Sequence, residues 1–230
     1  MFGFLKKEIQ ELEKGPSISS KGLDRTQISI DNIEGKTLPD NGKKNIVIMD
    51  DDSFMAFSFE RDIKSLNNII QTDEIKEIMY YINIRYGSVV LNKIQEFIKQ
   101  FDSSNYNIIQ FTGNKCGFEL IKTIDDTKNV IDYAILDVVL GGLVIDKNDV
   151  FVSVDGLDVA KKILDRFESK VNILISTGCT MKDSKEDYKF KNTIGDVSNV
   201  NIYIKGLDIS ARLGDILVLL SGVEIDKGFK

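Results

Sequence analysis

The sequence predicts an open α/β sheet of five parallel strands, with helices on both faces and a helical insertion in the first βα crossover. Three observations predict it. Five short runs are apolar throughout: IVIM at 46–49, IIQF at 108–111 with one glutamine, YAIL at 133–136, ILI at 173–175 and IYI at 202–204. Continuous apolar runs mark strands buried on both faces, as parallel strands are. Between them apolar residues recur at helical spacing, and strand–helix alternation is the signature of an open α/β sheet. Each run also ends in a polar or glycine-containing turn, where such sheets carry their ligands.

Residues 1–44 read as a separate, loosely ordered leader. LKKEIQELEK at 5–14 could form one short helix, and a Ser/Asn/Asp/Gly-rich stretch without clear period follows Gly15-Pro16. The main domain is expected over 45–230. After the first strand, Asp51 and Asp137 stand 86 positions apart. Two helices, a strand and their loops need only about 45. The surplus falls at about 62–105, where Ile75, Ile78, Met79, Ile82 and Tyr86 make one stripe. Val90, Ile94, Phe97, Ile98 and Phe101 make a second beyond Gly87-Ser88. This spacing predicts an inserted helical hairpin. With no output domain expected and Tyr80, Tyr81, Tyr86, Phe97 and Phe101 in it, the hairpin is expected to supply a partner or dimer surface. A shorter insertion, 143–154, alternates like a small β-hairpin. Stripes at Phe118, Leu120, Ile121 and Ile124, at Leu157, Ala160, Ile163, Leu164 and Phe167, and at Ile209, Leu213, Ile216, Leu217 and Leu220 predict the remaining helices.

Composition narrows the chemistry. The 230 residues include no histidine and only two cysteines, Cys116 and Cys179. Histidine-based catalysis, a Cys/His zinc site and a disulfide scaffold are thereby excluded. A net charge of −6 argues against general nucleic-acid binding. The lack of a long apolar run and of a signal peptide predicts a cytoplasmic protein without stable membrane insertion.

The strand ends are the places to look for function. The first run ends in Asp50, Asp51 and Asp52, the third in Asp137, the fourth in Ser176-Thr177-Gly178 and the fifth in Lys205-Gly206. Crowded carboxylates suit a hard dication such as Mg²⁺. A carboxylate beside that ion can attack phosphorus, and a neighbouring hydroxyl and ammonium can hold phosphoryl oxygens.

Five segments in order, IVIMDDD, YAILDVVLGG, DGLDVAKKIL, ILISTG and NIYIKG, resemble a response-regulator receiver domain from 45 to about 222. The resemblance implies a flavodoxin-like receiver fold. It implies Asp137 as phospho-acceptor, Asp50 and Asp51 as the acidic pocket, and Mg²⁺ held by Asp50, Asp51, Asp137 and the carbonyl of Val139. Thr177 and Lys205 would contact the phosphoryl group. It further implies a stand-alone regulator rather than an enzyme. Its phosphoryl donor would be a sensor histidine kinase or a histidine phosphotransfer protein. Its output would go to a downstream protein target, with homodimerisation possible and no DNA-binding output domain. The chain departs from the family at Gly206, where receivers carry proline, and at Ile202, where they carry an aromatic switch residue; Tyr203 lies one place off.

Two alternatives stand beside this. Asp50-x-Asp52 followed by a helical insertion resembles the nucleophile motif and cap of haloacid-dehalogenase-like phosphatases, with Thr177 as a second motif. A receiver-like module that binds partners without phosphorylation is the other. Asp52 also reads simply as a helix cap.

Overall fold

The computed structural model describes residues 33–140, 144–145, 151–178, 192–194, 199–206 and 208–225. Its sheet has five parallel strands: β1 (Lys44–Asp50), β2 (Tyr106–Thr112), β3 (Tyr133–Asp137), β6 (Asn172–Thr177) and β7 (Val200–Ile204). They lie in the order β2-β1-β3-β6-β7. The five apolar runs are these five strands. Between β3 and β6 a two-stranded antiparallel pair forms, β4 (Val144–Ile145) with β5 (Phe151–Val152).

Helices cover both faces. On one face, α3 (Cys116–Asp126) and α4 (Gly156–Phe167) enclose a core with Val47, Met49, Phe111, Leu136, Ile173 and Ile175. On the other, α1 (Ser53–Ile69), α2 (Glu74–Ile98) and α5 (Ile209–Ser221) enclose Ile46, Ile48, Ile135, Leu174 and Tyr203. Alternate residues of each strand thus serve opposite cores, as the pleat requires. Asp52 caps α1, Asp208 caps α5, and Asp155 caps α4 in a capping box with Asp158.

The extra helical segment is α2, and its limits differ from the expected hairpin. Residues 62–69 belong to α1, and the added element runs Glu74–Ile98 with a break at Gly87, whose φ is +82°. Only glycine tolerates that backbone readily. Nor is α2 a loose appendage at the edge. Ile78, Ile82, Val90 and Ile94 are buried in the same core as α1 and α5. Tyr81 packs on α5 so closely that a β-carbon at Gly214 would lie 2.5 Å from its ring, whereas Tyr80 stays 70% exposed. With the sheet on one side and α2 on the other, α5 is buried all round from Leu213 to Leu220.

The leader boundary at 44 also needs correction over 33–43. Leu38 is buried in the core beneath α3, and Gly35 lies against the backbone of Thr123. Lys36 N–H donates to Thr123 Oγ1 at 2.7 Å, and Asn129 Nδ2 donates to the Leu38 carbonyl at 2.7 Å. The expected helix at 5–14 and Cys179 lie outside the described residues. Among the described residues no helix is long and apolar enough to cross a membrane.

Candidate functional site

The chain runs outward from β1 to β2 and returns to β3 on the opposite side of β1. A parallel sheet opens a crevice at such a reversal, at the carboxyl ends of the two strands. Met49 pairs with Leu136, so the next residues, Asp50 and Asp137, stand side by side at that crevice. Lys205 follows β7, two strands from β3, and reaches back across the strand ends.

Lys205 Nζ lies 3.0 Å from Asp50 Oδ2 and 2.9 Å from Asp137 Oδ2. Asp50, Asp51 and Asp137 each present a carboxylate oxygen, all within 4.8 Å of one another. Asp50 and Asp137 are buried, and Asp51 is half-buried. Among the described residues the cluster therefore sets three carboxylates against the ammonium of Lys205. Burial, partly offset by the Lys205 hydrogen bond and reinforced by the Asp50 charge, pushes the Asp137 carboxyl up to about 6. Burial also raises Asp50, again against the pull of Lys205. For Lys205 burial works against the charge, but hydrogen bonds to Asp137 and Asp50 outweigh it, and the net shift is upward. Lys205 thus limits the rise of both carboxyls, and they in turn hold its charge.

The surrounding backbone fixes these groups. Asp52 N–H donates to Asp50 Oδ1 at 3.0 Å, and Gly113 N–H donates to the Asp51 carbonyl at 3.2 Å. Lys205 N–H donates to the Thr177 carbonyl at 2.6 Å, joining the lysine to the end of β6. Thr177 is buried at that end, and Val139 lies two residues past Asp137 with 58% exposure. Asp50, Asp51, Asp137 and Lys205 are brought into one cluster; Thr177 and Val139 flank it. Asp52 is turned away: its Oδ1 accepts from Phe54 N–H at 2.9 Å and caps α1.

Both departures from the receiver pattern have a structural setting. Gly206 has φ +91°, which proline's ring forbids, so the turn after Lys205 differs in kind from an X-Pro turn. Tyr203 is buried, packed edge-on against Phe59 at 5.9 Å, while Ile202 packs toward the opposite core. Sequence reading missed one contributor, Gly156. A β-carbon there would come within 2.0 Å of the Asp137 carbonyl oxygen. The Asp-Gly pair before the α4 stripe was its only signal. Cys116 is also close, but burial, then the Asp51 charge, push its thiol up to about 12, so it stays protonated.

No family model matches the sequence, and no curated protein matches it. Solved structures do. The response regulator domain of CheB from Thermotoga maritima matches at 11% identity, over 78% of this chain and 96% of that one, with a TM-score of 0.39. The RcsB response regulator of Salmonella typhimurium matches at 12% identity, over 80% of this chain and 63% of that one, with a TM-score of 0.38. At these values the likeness concerns fold alone. The fold is the flavodoxin-like one. The chain's own strand order and all-parallel sheet establish it.

The donor set fits a hard dication. Three carboxylate oxygens gather at a partly open rim, carry excess negative charge, and include no soft ligand among the described residues.

Proposed function

We propose that the protein is a response regulator that accepts a phosphoryl group on Asp137 and signals through protein contacts. The observation that carries this reading is the placement of Asp137 between an acidic pair and Lys205 at the sheet's topological reversal. Asp137, with a carboxyl near 6, is largely ionised at neutral pH and able to attack phosphorus. In the transfer, the P–N bond of a phosphohistidine donor breaks as a P–O bond to Asp137 forms, and the imidazole nitrogen leaves with its electron pair. The donor histidine belongs to a sensor histidine kinase or a histidine phosphotransfer protein, since this chain has none. Lys205 Nζ, already on Asp137, would pair with a phosphoryl oxygen, and the Thr177 hydroxyl would bind another. Asp50 and Asp51 with Asp137, joined by the Val139 carbonyl, would hold Mg²⁺, which when bound neutralises charge on the transferring group.

The phosphatase alternative loses a residue it needs. Its second aspartate, Asp52, serves as the cap of α1, and α2, the would-be cap domain, packs along α5.

Incubation with acetyl phosphate and Mg²⁺ followed by intact mass tests the reading. Wild type should gain about 80 Da, one phosphoryl group, and Asp137→Asn should gain nothing. Label retained in that variant would favour the phosphatase. No label on a folded wild type that binds Mg²⁺ would favour a module that works without phosphorylation.

A further inference from the structure

The segment added to the first crossover is fastened to the strand that leads into Lys205, and the fastening is polar and buried. Asp215, on α5, has no solvent exposure. Its Oδ1 accepts the Tyr81 hydroxyl at 2.9 Å and the Tyr86 hydroxyl as well, and Arg85 Nε stands 3.7 Å away. Its Oδ2 is buried without a hydrogen-bond partner among the described residues. Arg85 Nη1 donates to the Tyr81 hydroxyl at 2.7 Å, and Asn201 Nδ2 donates to the Tyr86 hydroxyl at 2.6 Å. Three side chains from two successive turns of α2 thus converge on one carboxylate.

The other end of this cluster is the backbone of β7. That strand pairs only with β6 among the described residues, so one edge is open. Asn199 O and Lys205 N–H bond to β6, which turns the backbone groups of Ile202 to the open edge. Both are taken: Ile202 N–H donates to Asn201 Oδ1 at 2.9 Å, and Ile202 O accepts from Arg85 Nη2. Arg85 therefore bridges the edge of β7 and the buried carboxylate of α5. Three residues on from Ile202, just past the end of β7, stands Lys205, held by Asp50 and Asp137. A new anion or cation at the acidic site would compete for the partners of Lys205, whose backbone continues directly from β7.

We propose that Arg85, Tyr81, Tyr86 and Asp215 form a clamp through which occupancy of the acidic site, acting on Lys205 and β7, resets the docking of α2. The inference rests on the phosphoryl-transfer reading above and names α2 as the element that responds. A buried polar cluster with one unmet acceptor suits this role, because small displacements change which hydrogen bonds can be made at all.

Amide hydrogen exchange of the full chain, with acetyl phosphate and Mg²⁺ as probes, tests it alongside intact mass. In wild type, labelling of Asp137 should change the exchange rate of peptides from 74–98 by about fivefold or more, the lower end of ordinary coupling between sites. In Arg85→Met, Asp137 should label as before while the change in α2 disappears. Tyr86→Phe, which keeps the ring and removes only the hydroxyl, should reduce it. If Asp137 labels and α2 does not respond, or responds equally in Arg85→Met, the clamp is wrong and the phosphoryl-transfer reading stands. If the folded wild type takes no label and α2 is unmoved by Mg²⁺, both fall.

Discussion

Gly156 and Asp137 touch backbone to backbone: a β-carbon at 156 would sit 2.0 Å from the Asp137 carbonyl oxygen. The atom in the way belongs to main chain, which cannot swing aside as a side chain can. Gly156→Ala is therefore expected to shift Asp137 at the cost of about 3 kcal/mol, the upper end for overpacking. Urea denaturation should show the loss, and labelling of Asp137 by acetyl phosphate should slow in the fraction that stays folded.

Mg²⁺ should stabilise the wild type. Asp50, Asp51 and Asp137 crowd together and repel one another, and a dication relieves this. At about a hundredfold excess over its dissociation constant, the gain should be roughly 2.7 kcal/mol, visible as a higher melting temperature. Asp51→Ala should lose the Mg²⁺ response while remaining folded, because Asp51 is only half-buried. A wild type indifferent to Mg²⁺ would count against the site.

Asp215 should print a pH dependence on stability. Burial, offset by Arg85 and the two tyrosine hydroxyls, raises its carboxyl from 3.8 to about 6. The folded state thus holds a proton that the unfolded chain releases. Its contribution is fully present below about pH 4 and is lost as pH rises through about 6. The size is about 3 kcal/mol between those limits. Asp215→Asn should flatten this part of the profile, measured by chemical denaturation at stepped pH. An unchanged slope would mean that Asp215 ionises freely in the fold.

Gly206→Pro restores the residue that the receiver resemblance leads one to expect, yet it should harm this protein. The native φ of +91° lies on the side that proline cannot reach. The expected result is a loss of about 1–3 kcal/mol and weaker labelling of Asp137, because Lys205 immediately precedes the strained bond.

Replacing 74–98 with a short Gly/Ser linker should destabilise the domain rather than trim an appendage. It would uncover Leu213, Ile216, Leu217 and Leu220 on α5 and strand Asp215 without Tyr81, Tyr86 and Arg85. Circular dichroism and thermal melting decide this. A deletion variant that melts like the wild type would show α2 to be separable.

The inner strands β1, β3 and β6 were legible because both of their faces are buried and leave no polar alternation to confuse the period; β2 and β7, at the edges, are half-buried but keep apolar runs. The acidic cluster was legible for a related reason: in such a sheet the residue that ends an apolar run must sit at the rim. Two features escaped. In α5, a single stripe was drawn through Leu213, Ile216, Leu217 and Leu220, although DILVLL is apolar almost throughout. A helix apolar on every side is buried on every side, which foretold a second covering layer. Asp215 within that run was the other clue, since a carboxylate among leucines requires donors from elsewhere. Nothing local marks Arg85, Tyr81 and Tyr86 as those donors, because their partner lies some 130 residues on. The packed stretch 33–43 was missed for want of period: it buries Ile33 and Leu38 singly and holds itself by side-chain hydrogen bonds to α3 and the loops.

The length of the first crossover bears on how such a segment can be accommodated at all. Between Asp50 and Tyr106 the chain runs roughly fifty-five residues, of which the 25 of α2 are close to half. Doubling a loop adds only about 0.6 kcal/mol of closure entropy to pairing β1 with β2. Ordering α2 itself costs more, but burying Ile78, Ile82, Val90 and Ile94 returns about 1.5–3 kcal/mol each. The penalty is felt in time rather than in equilibrium. β1 must find β2 and β3 across long stretches of sequence, and such high contact order slows folding. The helices of the crossover can form locally while β1 waits for its partners, but α2 gains its main packing surface only when α5, far along the chain, is in place.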